Sequence, residues 1–253
     1  MAEFFTAQFW FAVGSIIMID ILLGGDNAVV IALACRRLAP AQRLKGVVLG
    51  TAGAIVLRVV LIFFALELLR LPFLKVVGAL LLLVIGAKLL LPEPPDDHEG
   101  IQASDKLWKA VKTIIVADLV MSVDNVIAIA SAAQGAHQDH HMLLVVFGLV
   151  VSVPIIVWGS QFVMKLMDRF PLIITLGGML LGWIAGTMAV ADQFIAQHVW
   201  PAAWVEVSQQ TQVYEPVAVL HYMGGVAGVI GVLLCARILH KMLKNKKNKG
   251  THE

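Results

Sequence analysis

Seven stretches of mostly apolar residues, each about 20 residues or longer, divide the chain, and that length is what a helix needs to cross a bilayer. They run over Phe9–Ala34, Val47–Leu69, Pro72–Leu91, Trp108–Ala133, Met142–Met167, Pro171–Ala191 and Val217–His240. Inside lipid a backbone has no water to bond to, so such segments must be helices or strands of a closed barrel. Runs of this length select helices. Composition agrees: 59% of residues are apolar and 14% charged, against about 25% charged in a soluble domain, and the mean hydropathy is +0.86. A disordered chain, a nucleic-acid binder with a basic surface and an ordinary cytosolic enzyme are thereby excluded. The first run is not a cleaved signal peptide. It lacks a basic leading segment and a small-residue cleavage site, and it contains two carboxylates.

Basic residues set the orientation. Sixteen of the nineteen Lys and Arg fall in or beside alternate connections, from Arg36, Arg37, Arg43 and Lys45 to the tail containing Lys241, Lys244, Lys246, Lys247 and Lys249. The opposite side has only Arg70 and Lys75. The positive-inside rule then puts the N-terminus outside and the C-terminus in the cytoplasm. Residues 92–107 form a cytoplasmic linker rich in proline and acid, with Pro92, Pro94 and Pro95 beside Glu93, Asp96, Asp97 and Glu99. Proline removes backbone donors and like charges repel, which suits a connector. Residues 192–216 are expected to be an extracytoplasmic loop, and 217–253 a seventh helix with a basic cytoplasmic tail.

The chain also repeats itself at an offset of 98 or 99. Asp20-Ile-Leu-Leu-Gly-Gly-Asp26-Asn27 aligns with Asp118-Leu-Val-Met-Ser-Val-Asp124-Asn125, Gly50 with Gly148, and Pro72 and Gly78 with Pro171 and Gly177. Residues 1–91 and 108–191 are thus two copies of a three-span unit. Because three is odd, the second copy enters the membrane from the other side, as in many secondary transporters. The expected fold is all-α and polytopic, an inverted repeat of 3+3 helices with a seventh outside it. Gly224, Gly225, Gly228 and Gly231 give that seventh span a small-residue face for close packing.

Four carboxylates lie inside apolar spans: Asp20 and Asp26 in the first, Asp118 and Asp124 in the fourth. Each costs on the order of 2.5–3.5 kcal/mol at a helix centre, so they are expected to face the bundle interior and to have partners. Arg58 is the only basic residue deep in a span, and its repeat counterpart is Ile156. One Arg against four Asp leaves negative charge that a divalent cation or protons would neutralise. Asp20 and Asn27 share a face, as do Asp118 and Asn125, whereas Asp26 and Asp124 lie about 120° from the first Asp of each motif. Aiming both carboxylates at one ion requires a bend or unwound turn, which Gly24-Gly25 would permit and Ser122-Val123 favours less. Carboxylates and Asn carbonyls are hard oxygen ligands, suited to Mn²⁺, Mg²⁺ or Ca²⁺. His137, His140 and His141, with Asp139, read as a solvated loop that could also capture metal. Cys35 and Cys235 read as small packing residues.

The runs GGDNAVVIALA and DLVMSVDNVIAIA, each in a span and about a hundred residues apart, resemble the TerC family of bacterial integral membrane proteins, in its YjbE-like branch. That family is grouped with the LysE superfamily of exporters, and several members are implicated in manganese efflux. The resemblance implies a cation-coordinating set of Asp20, Asp26, Asn27, Asp118, Asp124 and Asn125; Arg58, by its charge and depth, is expected to be the counter-ion of the unloaded site, with a snorkelling or structural pair as the alternative. The resemblance also implies a bacterial inner-membrane transporter that exports a divalent cation, Mn²⁺ first, by alternating access with protons as a candidate drive. Mn²⁺ is then the transported substrate and no cofactor is expected. The expected partners are the bilayer and the ion, with a homodimer left open and no nucleic acid. Competing readings are an exporter of another small solute and a scaffold in the response to metal or tellurite stress. An intramembrane protease is disfavoured, since GxGD, Tyr-Asp and HExxH are all missing.

Overall fold

The computed structural model describes residues 14, 18, 25–68, 71–92, 103–133, 141–207 and 214–250, and side chains within them except at 62, 63, 65–68, 123–133, 141–150 and 245–250. The helices are α1 (Gly25–Cys35), α2 (Pro40–Leu68), α3 (Leu74–Leu90), α4 (Ala103–Ala133), α5 (His141–Arg169), α6 (Leu172–Val190), the short α7 (Gln193–His198) and α8 (Ala218–Gly250). Two three-residue strands, β1 (Val205–Val207) and β2 (Tyr214–Pro216), form an antiparallel pair between α7 and α8. Among the described residues, Pro40–Leu61, Leu172–Val190 and Ala218–Lys244 are long and apolar enough to cross a membrane. The molecule is therefore a helical membrane protein, as the apolar runs require.

Several boundaries differ from the sequence expectation. α4 starts at Ala103, inside the stretch read as linker, with Asp105 in its first turn, where a carboxylate favours the helix dipole. The loop expected at 192–216 contains α7, a 3₁₀ turn at Ala202–Trp204 and the β pair. The last span and its basic tail are one helix, continuing to Gly250.

The chain divides into two compact units. One comprises residues up to Leu66 with His98–Arg169, and the other Glu67–Asp97 with Phe170–Glu253. Each draws on both halves of the sequence.

In the second unit, α3, α6 and α8 pack together through glycine. A Cβ on Gly182 would lie 2.7 Å from the Gly228 carbonyl oxygen, and one on Gly186 would collide with the carbonyl of Gly224. Gly182/Gly186 and Gly224/Gly228 are each four apart, the spacing that lets two membrane helices approach backbone to backbone. The glycine face expected on the last span thus meets α6 at Gly224, Gly225 and Gly228, while Gly231 faces Leu83 of α3. Gly86 meets Leu181, and Gly178 meets Leu90, so α3 and α6 run antiparallel. Asp192 ties the end of this unit together. It is 1% exposed, its Oδ1 accepts from Phe194 N (3.0 Å) and Ile195 N (3.4 Å), and its Oδ2 accepts from Lys75 N (3.1 Å). One carboxylate therefore caps the N-termini of α7 and α3, satisfying donors that a helix start leaves unbonded. Phe73, just before α3, has φ 60°, a conformation costly for a non-glycine residue. Its ring rests on Phe194 at 4.5 Å.

The first unit holds α1, α2, α4 and α5. α1 and α2 form a tight hairpin: a Cβ on Gly46 would meet Leu38 Cδ1 at 2.6 Å and Cys35 Sγ at 3.0 Å. Arg43 closes the hairpin, donating to Arg36 O (3.0 Å) and Leu38 O (3.3 Å) while pairing with Asp168 of α5 at 2.6 Å. Gly50 faces Ile114 and Gly53 faces Ile115. Contacts thus advance together along both helices, so α2 and α4 are parallel, and α4 is antiparallel to α1.

Candidate functional site

The buried stripe of α2 is Val47, Thr51, Ala54, Arg58 and Leu61, spaced by three and four as one helix face demands. Val47, Ala54 and Leu61 suit an apolar bundle, whereas Thr51 and Arg58 bring polar groups into it, and Arg58 brings a full charge. At 3% exposed it is buried in the first unit, and a guanidinium there needs a countercharge. α4 supplies it: Arg58 Nη2 donates to Asp118 Oδ1 at 2.7 Å. Arg58 Nε donates to Ser122 Oγ at 3.1 Å, and Ser122 Oγ donates to Asp118 Oδ2 at 3.0 Å. Asp118 and Ser122 are one helical turn apart, so a single face of α4 presents both groups to the arginine. The three side chains form a closed ring with both carboxylate oxygens engaged.

Asp26 and Asn27 of the first motif belong to the same unit as this ring. Asp26 is half-buried, and its Oδ1 accepts from Asn27 N at 2.8 Å. It lies within Coulombic reach of both Arg58 and Asp118. The structure therefore brings Asp26, Arg58 and Asp118 into one electrostatic neighbourhood, although they are far apart in sequence. Asn27 is 4% exposed, and neither Oδ1 nor Nδ2 has a hydrogen-bond partner among the described residues. An amide buried in that state costs about 1–3 kcal/mol, which marks a position suited to a ligand.

Other expected site residues are placed only in part. Asp20 lies outside the described residues, as do Gly24 and the expected break in the first span. Asp124 and Asn125 lie on α4, in its helical backbone. His137 and His140 fall outside the described residues, and His141 opens α5. One geometric expectation is corrected. α4 is continuous from Ala103 to Ala133, with no unwound turn between Asp118 and Asp124. It contains neither Gly nor Pro to break it, and Ser122 spends its hydroxyl proton on Asp118 instead of on the helix backbone. Positions 118 and 124 remain about 120° apart around the helix. Among the described residues, no three His, Cys, Asp or Glu side chains gather as a metal-binding group.

The sequence does not mark Ser122 as a partner of the buried ion pair, nor Thr51 as a buried polar group. Ser122 lies inside the second motif, at i+4 from Asp118, and that spacing was the signal for it. Thr51 follows Gly50, one of the residues that carried the repeat, but a lone threonine in an apolar span gives no signal by itself.

Residues 5–214 match the integral membrane protein TerC family. The chain belongs to that family. Among TerC-like relatives, it is 45% identical over 187 residues to the uncharacterised membrane protein YjbE of Bacillus subtilis, covering 72% of this chain and 83% of that one. It is 26% identical over 204 residues to the membrane protein YkoY of the same organism, covering 71% and 63%. The inner membrane protein YgdQ of Escherichia coli is 26% identical over 178 residues, covering 64% of this chain and 73% of its own. These names describe membrane proteins and carry no enzymatic activity. No solved structure matches this TerC-family chain.

Proposed function

We propose that this protein exports a divalent metal cation, Mn²⁺ foremost, across the bacterial inner membrane by alternating access. The observation that carries the proposal is the buried Arg58–Asp118 pair at 2.7 Å, with Asp26 inside its electrostatic range and Asn27 beside Asp26 with its amide unpaired among the described residues. Helix packing alone needs none of these groups, whereas a path for a small hard cation needs oxygen ligands and a way to balance their charge. Asp26, Asn27, Asp118, Asp124, Asn125 and Asp20 are the assigned ligand positions. Asp118 exchanges between two partners, the guanidinium when no ion is present and the cation when one is. Arg58 is then the resident counter-ion, and a dication entering the ring displaces it.

The transport architecture has its own support. Repeats related by a two-fold axis in the membrane plane require counterpart spans to run antiparallel. α3 and α6 do so, with Gly86 on Leu181 and Gly178 on Leu90, and α1 and α4 also run in opposite senses. Each compact unit takes corresponding spans from both repeats, a partition suited to rocking between two states. With seven spans the basic segments fall on one side, which puts the C-terminus in the cytoplasm.

The test is cellular Mn²⁺ content in a bacterial host lacking its own manganese exporter. Wild-type protein should lower it, and Asp26→Asn, expressed and inserted to the same level, should not. Equal manganese content with wild-type and Asp26→Asn protein would refute the site assignment.

A further inference from the structure

Thr51 stands out among the hydroxyl residues of the described helices. Thr113 donates to Lys109 O at 2.8 Å, Thr187 to Ile184 O at 3.0 Å and Ser160 to Val157 O at 3.0 Å. This bond to the preceding turn is the usual way for a hydroxyl to be satisfied within a helix. Thr51 is 2% exposed, yet its Oγ1 has no hydrogen-bond partner among the described residues. It shares that condition with Asn27, across the same helical hairpin.

The hairpin sets the two at similar depth. α1 and α2 are level at Cys35 and Gly46, where a Cβ on the glycine would meet the sulfur at 3.0 Å. At a rise of 1.5 Å per residue, Asn27 lies about 12 Å from that level and Thr51 about 7.5 Å. The difference is less than the pitch of one turn. Arg58 follows Thr51 on the same face of α2, about 10.5 Å farther along the axis. Two neutral oxygens buried without partners therefore lie between the cytoplasmic turn of the hairpin and the ionic ring.

We propose that Thr51 Oγ1 and Asn27 Oδ1 together form a neutral subsite for the transported cation on the cytoplasmic side of the Arg58–Asp118 ring, a proposal that rests on the export reading. Both atoms are hard oxygen ligands of the kind Mn²⁺ and Mg²⁺ accept. Asn27 Nδ2 is a donor only and cannot face a bare cation. An oxygen of the cation's own water satisfies it, so the ion occupies this subsite partly hydrated. Uncharged ligands bind it weakly enough to pass it on to the carboxylates.

The experiment measures Mn²⁺ binding to the purified full-length protein by calorimetry, together with its melting temperature in metal-free detergent, for wild type, Thr51→Val and Thr51→Ser. Thr51→Val should weaken Mn²⁺ binding about tenfold, and Thr51→Ser should restore it. The melting temperature of Thr51→Val should equal or exceed that of wild type, because the substitution deletes a buried hydroxyl with nothing to bond. Unchanged Mn²⁺ affinity in Thr51→Val, while wild type binds, would overturn the subsite and leave the export reading standing. A lower melting temperature or failure to fold in Thr51→Val would also overturn it, by showing that the hydroxyl serves the fold. If wild type itself binds no divalent cation, the export reading fails and the subsite falls with it.

Discussion

Replacing Arg58 by methionine should be among the most damaging single changes to the stability of the first helical unit, and the damage should vanish when Asp118 is replaced as well. The guanidinium and carboxylate meet at 2.7 Å, and both side chains are more than nine-tenths buried. With charge centres about 4 Å apart and an effective dielectric constant near 20, their attraction is about 4 kcal/mol. Truncating one partner of such a pair typically costs about 3–5 kcal/mol, because the other charge is left buried alone. Replacing both by apolar residues of similar size is often neutral. Ser122, which donates to Asp118 Oδ2 at 3.0 Å, can then turn to the α4 backbone. Arg58→Met, Asp118→Leu and the double variant complete a thermodynamic cycle, read by reversible unfolding in mixed micelles of detergent and SDS. We expect a coupling energy of about 3–5 kcal/mol, well above the ~0.6 kcal/mol average for interhelical hydrogen bonds in a membrane protein. A coupling below about 1 kcal/mol would refute the reasoning, since the pair would then act as ordinary polar packing.

The parts of this structure that were legible in the sequence are those that lipid dictates. A membrane helix must be long, apolar and internally bonded, so the helical membrane class and, among the described residues, the spans at Pro40–Leu61, Leu172–Val190 and Ala218–Lys244 could be read from composition and length, as could the glycine face of α8. Register between helices was not legible. Asp118 meets Arg58 because Gly50 and Gly53 let α2 lie close along α4, beside Ile114 and Ile115. Nothing in one sequence reports that depth. The sequence offers one deep Arg for four carboxylates without saying which it meets; the structure commits it to Asp118, together with Ser122. The region 192–216 was read as loop because its elements are short. Asp192 before Gln193 is a helix-capping signal of ordinary strength, and its second role, at the start of α3, depends on a contact 117 residues away in sequence. Likewise, the expected bend in α4 followed from wanting two carboxylates on one ion, and the unbroken backbone shows that the helix itself supplies no such device.

Other changes should separate the functions of these groups. Arg58→Ala should slow Mn²⁺ turnover in reconstituted protein more than it weakens equilibrium Mn²⁺ binding, because it removes the partner of the unloaded carboxylate and not a cation ligand. Equal losses in both would argue against the counter-ion role. Gly186→Val should destabilise the second unit by about 1–3 kcal/mol or more, since even a Cβ there collides with the Gly224 carbonyl. Gly231→Ala should be tolerated, its Cβ lying 3.6 Å from Leu83 Cδ2, and unfolding in detergent compares the two. Asp192→Ala should cost about 1–2 kcal/mol through loss of helix capping, with Asp192→Asn recovering only part of it in the same assay, because its one carbonyl oxygen serves one helix start while its NH2 meets the donors of the other.

The central claim is most directly tested with purified protein in liposomes that enclose a Mn²⁺-sensitive dye. Wild-type protein should carry externally added Mn²⁺ into the lumen at a rate that saturates with concentration. Asp26→Asn, inserted at equal density, should fall to the rate of protein-free vesicles. Dye signals from wild-type vesicles no faster than those from protein-free vesicles, at any Mn²⁺ concentration and with or without a proton gradient of either sign, would contradict the assignment of this protein as a divalent-cation transporter.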